Sequence, residues 1–563
     1  MKPLKVFLFF LIIVILAFKS YTQTVPVHNL HNSIYDFIDE LANDKVIEIN
    51  SAIKPYSRNF IYKKLKEAEV KQEDLNKRQI KELNFYLNIY AFDGDLNYNP
   101  YSANAKLNIL KKRPGFNTGL NPLGLFYKDS SFSFSVKPIW GIRYYTNPNG
   151  QVQHTWGGAE AYATIGKNWA IYASLRDNYQ TEILAFPQYF TPLEGGNYKI
   201  NVQDRKGGDY SEMRGGINYS WKWGTIGLVK DHLQWGTNYN GANIFGGQQP
   251  SFGMIKLQLN PVKWLDFNYY HGWLVSEVID SSRSYTTSNG DWRAVFRDKY
   301  IAANMYTFKP FKNFHFSIGN SIVYSDVSPQ LVYLIPFLFY KSVDHTINHN
   351  IDNQNSQMFG DFSFRMIKHL HLYGTIFIDE FSITRIGNKE ESNFYSYKLG
   401  SRLNNWPINN IYLTFEYTKT SPITYKHRVP TLTYESNKYN LGHYLRDNSK
   451  EYYVNIGLRP MRGLKVEISY LNAKHGNDYQ YTDGKEAVLL PFIESVTWSN
   501  ESYSLKILYE FISEAYLFFN FTASNIQGYD VDGQTAQYYL DQFTPQSFQG
   551  RNNMLTLGFN IGF

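Results

Sequence analysis

The chain has 563 residues, a formal net charge of +7 and no cysteine, and 17% of its residues are aromatic, including 47 Tyr and 40 Phe. A mean hydropathy of −0.41 is too polar for a bundle of membrane helices, while the aromatic content favours strands. Without cysteine there are no disulfide staples, thiolate metal sites, cysteine nucleophiles or lipid attachment at an N-terminal Cys. Lys2, Lys5 and Lys19 carry part of the positive charge at the extreme N-terminus, so nothing calls for nucleic acid as a partner.

Lys2 and Lys5 precede an apolar run from Val6 to Phe18, and Ser20 and Thr22 place small residues before Gln23. This predicts a secretory signal peptide over residues 1–22 and an exported mature chain. No later apolar run reaches the roughly 18 residues that a spanning helix needs. Residues 23–93 predict a small periplasmic helical domain. Ile34, Phe37, Ile38 and Leu41 share one face. Ser57 is a candidate N-cap ahead of Ile61, Leu65 and Ala68, and Ile80, Leu83, Leu87 and Tyr90 repeat the spacing. The Lys and Glu between them read as the solvated exterior of a water-facing bundle. Residues 94–115 predict a linker.

From about Phe116 the period changes to two. "SFSFSVKPIWGIRYY" sets Phe132, Phe134, Val136, Trp140, Ile142 and Tyr144 on one face. The pattern recurs in Ile255/Leu257/Leu259, Ile411/Leu413/Phe415/Tyr417 and Tyr503/Leu505/Ile507/Tyr509. Polar stretches with Gly, Asn, Asp and Pro separate the runs. A soluble sandwich would alternate in the same way. Export, aromatic residues at strand ends and the lack of disulfides favour an all-β transmembrane barrel over residues 116–563. So does the closing decapeptide "MLTLGFNIGF", where Leu555, Leu557, Phe559, Ile561 and Phe563 alternate to the last residue. Phe563 is then the membrane-assembly signal, barrel-assembly machinery its reader, and outer-membrane lipid the surround. At roughly 25 residues per strand with its connections, the barrel holds about 16–18 antiparallel strands. A lumen that wide either conducts or is blocked by inward-folded loops.

The candidate chemistry does not point to an enzyme. Asp231 and His232 are neighbours, which on a strand face opposite sides, and no serine in a nucleophile context lies nearby. "DVDG" at 530–533 lacks the late bidentate Glu of a calcium loop and reads as an exposed turn. His369 and His371 have the spacing of a metal pair on one strand face, but no third ligand is evident, so they read as polar residues facing the lumen. No metal or cofactor is expected. What remains is aromatic and amide chemistry. Trp235, Tyr239, Asn240 and Asn243 lie in "GLVKDHLQWGTNYNGANIFGGQQPSFG", and His443, Tyr444, Arg446 and Asp447 in "YNLGHYLRDNSKEYY". Ring faces stack on sugar C–H faces while amide, carboxylate and guanidinium groups bond the hydroxyls, so these are candidate polysaccharide-binding residues. The same composition also describes aromatic girdles and ordinary loops.

Several stretches carry a family resemblance. They are "VPVHNLHNSIYDFIDELANDKVIEINSAIKPYSR" (Val25 to Arg58), "GLVKDHLQWGTNYNGANIFGGQQPSFGMIKLQLNP", "IPFLFYKSVDHTINHNIDNQNSQMFGDF" and "LGHYLRDNSKEYYVNIGLRP". In this order they resemble the Wzi-type capsule assembly family of outer-membrane proteins, in the form found in Bacteroidetes. Trp235-Gly236-Thr237-Asn238 departs from the Pro and further Gly expected after the family's Trp-Gly. The resemblance implies a many-stranded barrel with a small helical bundle at its periplasmic end. It also implies a lectin that holds exported capsular polysaccharide on the cell surface, with polysaccharide-export proteins as partners. Relatives in gliding Bacteroidetes are linked to surface motility, so a motility or envelope-complex component working through protein partners is the alternative. A porin is a third reading.

Overall fold

The structure, a computed structural model, describes residues 24–94, 116–199, 207–347, 351–388, 391–479 and 489–563. The predicted signal peptide and all but the first residue of the predicted linker lie outside the described residues. Eighteen antiparallel strands carry the circumference of a closed barrel. They are β1 (Phe132–Asn147), β2 (Gly150–Ile165), β3 (Trp169–Gln180), β4 (Gly208–Trp221), β5 (Gly224–Asp231) and β6 (Phe252–Val262); β7 (Leu265–Ile279), β8 (Phe296–Phe311), β9 (Phe314–Ser325), β10 (Gln354–Phe364), β11 (Leu370–Glu380) and β12 (Phe394–Asn404); and β13 (Ile411–Thr420), β14 (Ser449–Met461), β15 (Leu464–Gly476), β16 (Val496–Ile512), β17 (Ala515–Gly528) and β18 (Gly550–Ile561). Each strand pairs with its neighbours in sequence, and β18 closes on β1 with Leu555–Ile561 opposite Thr146–Trp140. A hairpin, Phe116–Leu120 with Leu123–Lys128, extends the start of β1 at one rim.

The alternation works as a pleated wall requires. On β3, Trp169, Ile171, Leu175 and Tyr179 are exposed on the outer face, while Tyr172, Arg176, Asn178 and Gln180 are buried on the inner one. The predicted apolar runs form this outer face, where Trp140, Leu413, Phe415, Ile456, Tyr503 and Leu557 are exposed. At one end the turns are tight. The second residues of Lys312–Asn313, Arg462–Gly463 and Ser513–Glu514 have φ of 61°, 75° and 60°, and the register shifts just behind each, the left-handed residue and bulge that close a tight hairpin on a type I turn. The other end carries the long loops.

The helices α1 (Asn32–Asn43), α2 (Arg58–Val70) and α3 (Lys77–Gly94) dock at the tight-turn end. Ser57 caps α2, its Oγ accepting the Phe60 N–H at 3.1 Å, and the predicted apolar faces bury into one another. Their charged residues are not all solvated, which corrects the water-facing reading. Glu40, Arg78, Gln79 and Glu82 are buried because α1 and α3 wedge into the barrel mouth. There Asn405 Nδ2 donates to Glu40 at 2.8 Å, Arg78 Nε to Asn410 at 2.9 Å, and the Tyr86 hydroxyl to Glu510 at 2.7 Å. The bundle is a stopper whose polar groups are matched by the strand turns. Two further short helices, α4 (Tyr340–Ile347) and α5 (Ala536–Phe543), lie in the long loops. No described helix is long and apolar enough to cross a membrane.

Loops 232–251 and 421–448 fold inward from the opposite end. Gln234–Trp235 pairs antiparallel with Ile53–Lys54, so loop and N-terminal domain meet inside the barrel. A core of Trp235, Phe245, Tyr270, Phe359, Phe377 and Tyr434 forms around that junction. Trp235 stands edge-on to both Phe245 and Tyr270 at 5.3 Å, contacts worth about 0.5–1.5 kcal/mol each beyond burial. Of the two outcomes the lumen width allowed, this barrel is blocked at the junction by its own loops. The C-terminal alternation also ends sooner than the sequence pattern. Gly562 has φ of 76° and turns Phe563 off the outer face into the lumen, where its ring stacks on His28 at 4.2 Å.

Candidate functional site

β5 has only 8 residues, so the upper wall between β4 and β7 is completed by loops rather than by strands. Loop 181–199 bonds to β4, with Lys199 N–H donating to the Asp209 carbonyl at 2.8 Å. Loop 421–448 bonds to β7, with Asn437 N–H donating to the Val275 carbonyl at 3.0 Å. The Tyr439 hydroxyl joins the two loops, accepting the Gly196 N–H at 3.1 Å and lying 2.7 Å from the Ala185 carbonyl. At this seam lies a shallow cleft of about 20 Å³, lined by Phe186, Tyr189, Thr191, Asn440, Tyr444 and Arg446, among others. Phe186 and Tyr189 are half-buried with ring centroids 5.9 Å apart. Arg446 is tied down by bonds from Nη2 to the Pro187 and Lys438 carbonyls at 2.9 and 2.7 Å. Two fixed rings beside hydroxyl, amide and guanidinium groups suit a polyhydroxylated ligand.

The sequence candidates are divided by the fold. Tyr444 and Arg446 line the cleft, with the Tyr444 hydroxyl donating inward to Glu451. Trp235 is 2% exposed in the lumen core. Tyr239 reaches the helical stopper, with its hydroxyl against Asp39 and 2.9 Å from His371 Nδ1, and the Arg402 guanidinium lies over its ring at 4.2 Å. Asn240 Nδ2 donates to Glu451 at 2.9 Å, and Asn243 Nδ2 to the Ser396 carbonyl at 3.2 Å. His443 is fully buried against Tyr444, and burial holds it neutral. Asp447 accepts the Tyr425 N–H at 2.7 Å, and burial pushes its carboxyl up to about 6. These six hold the plug in place. The cleft residues the sequence missed, Phe186 and Tyr189, sit in loop 181–199, where only aromatic clustering marks them.

The remaining candidates also separate. Asp231 accepts from Arg214 Nε at 2.7 Å and from the Tyr172 hydroxyl at 2.7 Å, whereas His232 pairs with Glu194 at 2.9 Å and Glu212 at 3.5 Å. The two neighbours serve different networks. Burial works against the His232 charge, but the flanking Glu194 and Glu212 outweigh it and raise the imidazole to about 9. His28, His232 and Glu194 bring three ligand-type atoms within 4.8 Å of one another. Yet His28 Nδ1 accepts the Leu30 N–H at 3.0 Å, which puts the ring proton on Nε2, so this nitrogen is a donor toward Glu194 rather than a metal ligand. His31, Glu160 and Glu514 form a similar group, but Lys137 Nζ, 3.0 Å from Glu160 and 2.6 Å from Glu514, already supplies the cation. His371 lies on the inner face of β11, with its Nε2 2.8 Å from Ser363, but His369 sits in the preceding turn and bonds Asp44 at 2.9 Å. The "DVDG" stretch is a turn leading into α5, its Asp530 accepting the Ala536 N–H at 2.7 Å.

Fold and site together define a closed β-barrel with a stoppered lumen and a loop cleft at one end. No family model matches the chain, and no curated protein matches its sequence. Its fold is similar to that of Wzi from Escherichia coli, described as an outer-membrane protein of group 1 capsule assembly and a carbohydrate-binding β-barrel. The TM-score is 0.54 at 12% identity, covering 96% of this chain and all of Wzi. OccAB4 of Acinetobacter baumannii and OprD of Pseudomonas aeruginosa match at TM-scores of 0.40 and 0.39, with 9% and 11% identity. They cover 77% and 76% of this chain, and 97% and 92% of their own.

Proposed function

We propose that this chain is a non-enzymatic, lectin-like protein of the outer membrane that binds exported surface polysaccharide and anchors it at the cell. In this reading the helical stopper faces the periplasm and the long loops face outward. One observation carries it: a barrel with the fold of a carbohydrate-binding protein is stoppered inside, which leaves its outward loops to meet a ligand, and the cleft sets half-buried rings beside polar groups there. Retention comes from many weak contacts, each sugar repeat stacking on Phe186 or Tyr189 and bonding Asn440 or Arg446, with avidity along the polymer.

The first test compares cell-attached and released polysaccharide in a deletion strain complemented with wild type, Tyr189→Ala or Arg446→Ala. Glycan shifting into the medium at unchanged total and unchanged protein level is the expected result. An unchanged distribution in the deletion strain sinks the anchoring role and directs attention to motility or protein partners.

A further inference from the structure

Strand register places Tyr269 and His271 of β7, Asn304 of β8 and Asn320 of β9 on the same outer face as the exposed Trp273 and Ile318. An outer face in contact with lipid is apolar, yet these four are polar and all are buried. The segment covering them comes from the β9–β10 loop and runs down the outside of the barrel. It is a 3₁₀ turn, Leu331–Leu334, followed by irregular backbone, and the wall bonds several of its polar groups. The Tyr269 hydroxyl donates to the Tyr333 carbonyl at 2.8 Å. Asn304 Nδ2 donates to the Pro336 and Leu338 carbonyls at 2.9 Å each. Asn320 Oδ1 accepts the Tyr340 N–H at 2.9 Å.

The other side of the segment is apolar and open. Leu331 is 79% exposed, Phe337 55%, and Ile335 and Phe339 47% each. The chain then leaves as α4, whose exposed residues are the polar Ser342, His345 and Thr346. Irregular backbone is tolerated at membrane depth only where its polar groups find protein partners, and here the wall supplies them to the Tyr333, Pro336, Phe337 and Leu338 carbonyls.

We propose that Leu331–Phe339 is a strap immersed in the bilayer, replacing the wall of β7–β9 as the surface that meets lipid acyl chains. The proposal rests on the membrane reading above. Trp273 and Ile318 at its margins continue the same apolar surface, and α4 carries the chain back toward the headgroups. The polar wall residues then have their purpose: they bind a strap, not lipid.

Because the natural chain has no cysteine, single-cysteine variants give clean labelling sites. Ile335→Cys and Phe339→Cys would carry nitroxides on protein in phosphatidylcholine vesicles, probed by collision with oxygen and with a water-soluble nickel chelate. Leu413→Cys on the wall and Trp292→Cys on an exposed loop hairpin are the references. Oxygen-dominated collision at both strap sites, as at Leu413, is the expected result. Chelate-dominated collision, as at Trp292, overturns the strap, and so does shielding from both reagents, which would mean that a second copy covers it. If Leu413 itself meets the chelate, the membrane reading fails instead. In Asn304→Leu, strap labels should gain mobility while the Leu413 label is unchanged. Unchanged strap mobility there would also overturn the anchoring of the strap by the wall.

Discussion

Trp235 and Tyr189 are both aromatic loop residues, and their surroundings give them opposite roles. Trp235 is enclosed by Phe245, Tyr270 and Phe359, so truncating it opens a cavity in the lumen core. Trp235→Ala should destabilise the folded barrel by about 3–5 kcal/mol, read as a lower temperature for loss of heat-modifiable gel mobility. Glycan retained per folded molecule should stay unchanged, the reverse of Tyr189→Ala. His232 gives a pH prediction. Its imidazole is raised from 6.5 to about 9, so its contribution is complete below pH 6.5 and disappears as pH rises through 9, a span of roughly 3 kcal/mol. His28 is lowered to about 3 by burial and then by Arg214, and its contribution is lost as pH falls below 6.5. Thermal stability should therefore decline on both sides of about pH 6.5. His232→Gln should flatten the alkaline limb alone, and a preserved alkaline limb in that variant would contradict the assignment.

At the level of elements, the helical bundle is held by polar contacts as much as by its apolar core. Arg365, just after β10, donates from Nε to Asn43 at 2.6 Å, from Nη1 to Ser51 at 3.2 Å and from Nη2 to Asp39 at 2.7 Å. One buried guanidinium thus ties α1 and the following segment to the wall. Arg365→Ala leaves Asp39 with the Tyr239 hydroxyl but without its cation, and should loosen the stopper by about 1.5–3 kcal/mol. Limited proteolysis should then cut between α1 and α2 while the strands stay protected. Equal protection in wild type and variant would show that the apolar core alone holds the bundle.

For the whole molecule, two plugs entering from opposite ends meet at Ile53–Lys54 and Gln234–Trp235. A barrel closed in this way should give no steady conductance in planar bilayers. Replacing residues 236–249 with a short Gly-Ser linker should open a pore while the barrel remains heat-modifiable. Steady conductance from the intact chain would instead favour the porin reading.

The sequence by itself determined the all-β barrel class, the outward faces of the strands that carry an alternating apolar run, and the three helices. The pleat and the helix each impose a short period that apolar residues must match, and the Ser57 cap is equally local. It was blind where chain segments distant in sequence meet. Glu40 and Arg78 look solvated until the turns at Asn405 and Asn410 close over them. The C-terminal alternation could not show that Gly562 would turn Phe563 inward. Tyr444 and Arg446 were readable as candidates, but Trp235, Tyr239 and His443 have the same chemistry. Only the tertiary structure decided which of these line the cleft, because a loop that folds into the lumen and one that stays outside can share a composition. Long-range packing distinguishes them, and it leaves no local period to read.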